Sequence, residues 1–337
     1  MSRMSLREQI TEAILEYAPI PEEKREDKRQ FYYKRYEDNL FYSMDKEVFL
    51  AYNNGSGAET RPTVKKVGKK EVIVPAKMAS IVSSSAMTFN LLGNGTTTIS
   101  TSAILPAGTY QVQYEKQMHT VNKGSNPANL DAFLSNEDKK VAIFCEMKML
   151  EWFGTPSYLK DAYLNKDYYF KADYRNIGCP VDAYEVFYKV IKQLRTSLGK
   201  SGYCSIFKRY DAWQMLKHLL AIYNYTSFAT KNAVNSFGNI PSMAGKYNQI
   251  ILANVVNEFP VERIHNQQVR EEYIKALQEE RDEAEVFIDV IKNSEIPRLF
   301  DNNCNARIEV KYISAKQFSN SLGMSQGRRE YLKRYFE

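Results

Sequence analysis

The chain has 337 residues, of which 44% are apolar and 26% charged, with a formal net charge of +6. That length can bury a large core in one large domain or two modest ones, and the composition is that of a globular protein. No apolar run approaches the length of a bilayer crossing, and the mild basic excess permits a nucleic-acid partner without requiring one.

The N-terminal "MSRMSLREQITEAILEYA" has an amphipathic helical pattern from Ser5 to Tyr17 and no signal-peptide core. The segment "PEEKREDKRQFYYKRYEDNL" is charged and then aromatic, and predicts a helix from about Glu22. A loop "AYNNGSGAETRP" and a basic hairpin "TVKKVGKKEVIV" follow. "ASIVSSSAMTFNLLGNG" opens on capping serines and continues at helical spacing, and "TTTISTSAIL" is β-prone. Three strands come next: "TYQVQYEKQM", "ANLDAFL" and "VAIFCEMKML", the last two separated by the turn residues "SNEDKK". A tyrosine-rich helical region runs to about Leu198, and "YDAWQMLKHLLAIYNYTSF" is an amphipathic helix. A late strand "YNQIILANVVNEF", a long solvated helix "NQQVREEYIKALQEERDEAEVFIDVIKN" and a last strand "RIEVKYI" complete the series. There is no internal repeat. One α/β domain over 1–337 is expected, with 1–50 a helical extension, 80–260 the core and 261–337 a C-terminal elaboration.

Cys145, Cys179, Cys204 and Cys304 form no Cys-x-x-Cys pair and read as reduced thiols of a cytoplasmic protein. His119, His218 and His265 lie far apart, which gives a zinc site or a His-based triad poor support. The chemistry should therefore rest on carboxylates and lysines. In "VAIFCEMKML", Ala142, Phe144, Glu146 and Lys148 share one face of the strand, and Val141, Ile143, Cys145 and Met147 share the other. Both faces begin apolar, so the strand is central and delivers its charges at its end. A turn centred on 137–140 would bring Asp131 beside Glu146, provided the register does not slip by one residue. Two carboxylates and an ammonium at one point suit Mg²⁺ and phosphodiester hydrolysis. Glu-x-Lys alone is weak, because Glu309 and Lys311 near Asp301 repeat it. That strand alternates like a half-exposed one, and "DNNCN" reads as loop.

Together, "NLDAFL" and "IFCEMKMLEW" resemble the Asp…Glu-x-Lys core of the PD-(D/E)XK nuclease superfamily. The order of "GSGAE", "SSSAMTFNLL", the "YE" ending at Glu115, "AWQMLKHLLAIYN" and "RREYLKRYF" resembles a Bacteroidetes-type restriction endonuclease family within it. The resemblance implies a restriction-endonuclease-like α/β fold, a central mixed β-sheet flanked by helices. It implies that Asp131, Glu146 and the backbone carbonyl of Met147 bind Mg²⁺ (or Mn²⁺), that Lys148 is the catalytic lysine and that Glu115 is an accessory carboxylate. Glu59, Glu151, Gln214 and His218 are further accessory candidates. No proline precedes the aspartate, which follows Leu130.

The expected activity is Mg²⁺-dependent cleavage of double-stranded DNA by a type II-like restriction endonuclease. A cognate DNA methyltransferase and a homodimer are possible partners. A repair or recombination nuclease of the same superfamily, or a non-catalytic DNA-binding relative, is the alternative. Lys189, Lys192, Arg195, Lys200, Lys208 and Arg209, interleaved with tyrosines, form a candidate phosphate-contacting surface, and the hairpin from Arg61 to Lys77 is a second. "GKS" at 199–201 is no phosphate loop, because Leu194 stands where that motif needs glycine.

Overall fold

The structure is a computed structural model that describes residues 4–27, 29–55, 57, 59–68, 70–100, 104–120, 127–154, 181–194, 207–231 and 241–337. Its centre is a mixed six-stranded sheet in the order β3 (Thr96–Ile99), β4 (Gly108–Met118), β5 (Ala128–Asn136), β6 (Val141–Lys148), β7 (Gln249–Val256) and β8 (Arg307–Ser314). The first four are antiparallel, and β6, β7 and β8 run parallel. A separate hairpin pairs β1 (Thr63–Val67) with β2 (Lys70–Val74).

Apolar patterning places one core on each side of the sheet. On β6, Val141, Ile143, Cys145 and Met147 enter the first core, and Ala142 and Phe144 enter the second. The strand is thus covered on both faces, as its sequence predicts. The first core takes residues from α1 (Leu6–Tyr17), α2 (Lys46–Asn54), α3 (Ser84–Leu92), α8 (Ala315–Ser321) and α9 (Gln326–Phe336). The second takes α4 (Val181–Leu194), α5 (Ala212–Thr226) and α7 (Ile296–Cys304). The long helix α6 (Gln267–Asn293) serves both: Val269, Tyr273, Ala276 and Leu277 lie in the first core, and Ala284, Phe287 and Ile291 in the second. The C-terminal strand β8 pairs with the whole of β7, so the sheet that carries the site extends to residue 314.

Three expectations fail locally. The first four residues of the expected loop, Ala51 to Asn54, are the last turn of α2. The charged segment after Glu22 forms only short 3₁₀ turns at Glu22–Lys24 and Tyr36–Asn39. Its backbone is recruited by residues 78–81 instead: Tyr33 N–H donates to Ala79, Phe31 C=O accepts from Ile81, and the Asn39 amide donates to Met78 and Ser80. Those tertiary bonds outcompete local helix propensity. The "DNNCN" segment, expected as loop, is the end of α7. Leu299, Phe300 and Cys304 bury one side of that helix, Pro297 stands in its first turn, and Asn305 ends it at φ 53°.

Candidate active site

The turn between β5 and β6 spans 137–140, and the ladder runs from Asn136 opposite Val141 to Ala132 opposite Cys145. One step further sets Asp131 opposite Glu146. The ladder stops there because Asp131 takes over a backbone donor: its Oδ2 accepts from Met147 N–H at 2.6 Å. On the other side of β5, Tyr114 pairs with Ala132 and Lys116 with Leu130, while Glu115 and Asp131 make no bridge between them.

Glu115 holds a left-handed φ of 50°. Before it, Tyr110, Val112 and Tyr114 on β4 face the first core, as do Ala132 and Leu134 on β5. Beyond the break, Met118, Ala128 and Leu130 face the second core. All are even-numbered, and an unbroken strand would keep them on one face. Both strands therefore turn over together at Glu115 and Asp131, and this twist aims both carboxylates into the cleft.

The cleft has a volume of about 480 Å³, and its walls carry Glu59, Glu115, Asp131, Glu146, Glu151 and Gln214. Helix α5 supplies the roof over Glu146. Asp211 caps it by accepting from Gln214 N–H at 3.0 Å, which fixes the first turn. Gln214 and His218, one turn apart, then reach the same target. The Gln214 amide donates to Glu146 Oε1 at 2.8 Å, and its Oε1 accepts from Lys148 Nζ at 2.6 Å. Lys148 Nζ also donates to Glu146 Oε1 at 2.7 Å. His218 Nε2 lies 2.9 Å from Glu146 Oε2.

The charges of this cluster oppose one another. Burial pushes the Glu146 carboxyl up, but Lys148 and the His218 hydrogen bond overcome that and hold it at about 2. Glu146 is therefore ionised, and His218 Nε2 must carry the proton that bonds to it. Burial works against the Lys148 ammonium, while Glu146 and then Glu151 raise its pKa above the usual lysine value. Asp131 lies well above the usual carboxylate range through burial, with the charges of Glu146 and Glu115 adding to it. Burial likewise lifts Glu115 to about 7, with Glu59 and Glu146 adding, against a hydrogen bond from Asn129.

A hard divalent cation fits this donor set. Every anionic group is an oxygen ligand, and two of the carboxylates ionise with difficulty as long as nothing neutralises their neighbours. Glu146 already accepts from Lys148, Gln214 and His218, which leaves about one of its four lone-pair sites open. Among the described residues, no three His, Cys, Asp or Glu side chains are grouped so as to hold a metal. Asp131 and Glu146 are the side chains that would hold such a cation, with backbone, water and substrate oxygen completing its shell.

The accessory candidates separate. Glu59, 5% exposed, accepts from Ser85 Oγ at 2.8 Å and from Lys77 Nζ at 3.0 Å, and faces the cleft. Glu151 also lines it, and one of its oxygens accepts from Met149 N–H. Sequence reasoning missed Ser85 and Asn129, and named Lys77 only as the end of a basic hairpin. The serines read only as helix caps, and Ser83 does cap α3, but Ser85 spends its hydroxyl on Glu59. Asn129 was legible in principle, since it stands two residues before Asp131 on the same strand.

The basic surface is only partly described. Lys189, Lys192 and Lys208 are exposed, and Lys192 lies over the Tyr188 ring at 4.7 Å. Arg209 is not free for phosphate: it is half-buried and paired with Glu279 at 3.3 Å. The sequence shows only Asp211 as a nearby acid, because Glu279 arrives from a distant helix. Arg195, Lys200, Cys179, Cys204 and the "GKS" run lie outside the described residues. The rival Glu309 pairs with Lys311 at 3.3 Å on the edge strand β8, and Asp301 is an exposed residue of α7. Among the described residues, no helix is long and apolar enough to cross a membrane.

No curated protein and no solved structure matches the chain. Residues 19–238, more than half of it, match the family described as Restriction Endonuclease associating with ARP, and the match spans Glu59, Glu115, Asp131, Glu146, Lys148, Gln214 and His218. The chain belongs to that restriction endonuclease family.

Proposed function

We propose that the protein is a Mg²⁺-dependent endonuclease of PD-(D/E)XK type that hydrolyses phosphodiester bonds of double-stranded DNA as a type II-like restriction enzyme. One observation carries this reading: buried Glu146, held by half-buried Lys148 at 2.7 Å, lines one cleft with Asp131 and Glu115 at the point where two strands turn over together. Asp131, Glu146 and the Met147 carbonyl would hold the cation. When bound, it neutralises charge on the scissile phosphate and acidifies water.

The remaining work falls to the chain's own groups. Lys148 presents an ammonium held in place by Glu146 and Gln214, able to orient the attacking water and to stabilise charge growing on the phosphoryl oxygens. As the water oxygen bonds to phosphorus, the P–O bond to the leaving sugar breaks and a proton leaves the water. Glu115, its carboxyl lifted by burial to about 7, would take that proton through solvent, and solvent returns one to the leaving sugar oxygen. Gln214 and His218 keep Glu146 ionised and oriented. Exposed Lys189, Lys192 and Lys208 would contact backbone phosphates.

The test is incubation of wild type and Lys148→Ala with unmethylated plasmid, with Mg²⁺ or with chelator. Discrete fragments from wild type in Mg²⁺ alone are expected. Equal cutting by both proteins, or cutting in chelator, overturns the assignment.

A further inference from the structure

The hairpin β1–β2 takes no part in either core. From Arg61 to Lys77 the sequence holds Arg61, Lys65, Lys66, Lys69, Lys70 and Lys77 against a single acid, Glu71. Among the described residues, Lys65, Lys66 and Lys70 are exposed and make no ion pair within the protein. Gly68, at φ 62°, makes the tight turn between the strands. Val64 stands directly opposite Ile73, and Lys66 opposite Glu71, so these four share one face of the ribbon. Val64 is 63% exposed and Ile73 69%, more than any other large apolar residue described. Two apolar side chains paired in water on a lysine-rich ribbon bring the protein nothing in isolation.

The base of the ribbon lies at the cleft. Glu59 precedes β1 and Lys77 follows β2, and their 3.0 Å ion pair ties the two ends together in the wall that also holds Asp131 and Glu146. Met78 N–H closes the same junction by donating to Glu59 C=O at 3.0 Å. From that anchor, five residues per strand reach about 17 Å. A two-stranded ribbon is one of the few elements that a DNA major groove, about 12 Å wide, admits.

We propose that the β1–β2 ribbon is a DNA-reading arm that enters the groove of the duplex held at the cleft. Lys65, Lys66 and Lys70 contact flanking phosphates, and the Val64–Ile73 pair packs on base edges such as thymine methyls. The proposal rests on the reading of the cleft as a site for duplex DNA. Charge decides between occupants. A second copy of the ribbon would bring lysines against lysines, whereas duplex DNA complements them.

The experiment measures binding rather than cutting. Full-length protein, Lys65→Ala/Lys66→Ala/Lys70→Ala and Val64→Ser/Ile73→Ser are titrated onto labelled duplex fragments of cut plasmid and of random sequence, in chelator, over a range of salt. The lysine variant should bind at least tenfold more weakly, with its salt slope reduced by about 3. The Val64→Ser/Ile73→Ser variant should keep the wild-type slope and lose preference for the cut fragment. All three proteins should melt together, because the ribbon packs in no core. Wild-type affinity and slope in the lysine variant overturn the arm while leaving the endonuclease reading intact. Weakened binding by a protein that never cuts supports the arm and overturns the endonuclease. Loss of self-association by Val64→Ser/Ile73→Ser, with DNA binding unchanged, would assign the face to a second copy and also overturn the arm.

Discussion

Glu115 combines a left-handed backbone, φ 50°, with a carboxyl lifted to about 7. The first costs about 1 kcal/mol for a residue with a Cβ, and the second means that the folded protein holds a proton there which the unfolded chain releases near 4.5. Without metal, the contribution of Glu115 to stability should therefore fall as pH rises from about 4.5 through about 7, then level off. Glu115→Gly removes both burdens. It should melt above wild type at pH 8 in chelator, with a smaller advantage at pH 5, and should lose at least tenfold in cleavage rate. Calorimetry across pH beside plasmid cutting checks this, and a variant that melts lower at both pH values would refute the strain argument. Glu146 behaves in the opposite sense. Held at about 2, it contributes stability that is complete above its usual 4.5 and is lost as pH falls toward 2. Lys148→Ala leaves that carboxylate buried with His218 and Gln214 alone. It should abolish cutting and destabilise by about 3 kcal/mol at neutral pH, with a shallower acid limb in the same calorimetric series.

Helix α5 can hold Gln214 and His218 on Glu146 only if the segment leading into it is fixed. Glu283 of α6 does this by accepting the backbone N–H groups of Lys208, Arg209 and Tyr210, each at 2.8 Å. Three donors left without a partner by Glu283→Ala should cost about 3 kcal/mol and loosen the first turn of α5. Urea midpoints at unchanged slope measure the first effect, and a fall in cleavage larger than the fall in folded fraction measures the second. Unchanged activity in the folded fraction would show that α5 is positioned otherwise. The same contact marks what the sequence can reveal. The hairpin register and the two faces of β6 follow from periodicity and turn chemistry within short windows, and Gln214 and His218 from a family resemblance carried by one short helix. The clamp by Glu283, the ion pair of Arg209 with Glu279 and the failed helix after Glu22 depend on partners 39 to 75 residues away, which no local pattern encodes. The turnover at Glu115 was hidden differently, because its residues alternate as an ordinary strand would and only the backbone angle and the change of core show the switch.

At the scale of the whole molecule, the family match and the fold do not end together. The match closes at residue 238, whereas β7 begins at Gln249 and β8 at Arg307. Strand β6 lies between β5 and β7, and its register with β7 runs from Val141 opposite Gln249 to Lys148 opposite Val256. A fragment ending at 238 would turn β6 into a bare edge with both apolar faces, Ile143 and Cys145 on one and Phe144 on the other, stripped of neighbours from β7, α6 and α7. Long, flat, hydrophobic edges aggregate, and the charges that could protect this one, Glu146 and Lys148, are committed to each other. Residues 19–238 expressed alone should therefore be insoluble, or soluble without a cooperative melt, and should cut nothing. Extending the fragment to 314 restores β7 and β8 but leaves out α8 and α9, whose Phe318, Leu332, Tyr335 and Phe336 fill the first core. That longer fragment should regain sheet-like circular dichroism yet melt well below the full chain. A cooperative, active 19–238 fragment would mean that the site is assembled by β3–β6 alone, and that β7 and β8 are additions to a sheet already complete without them.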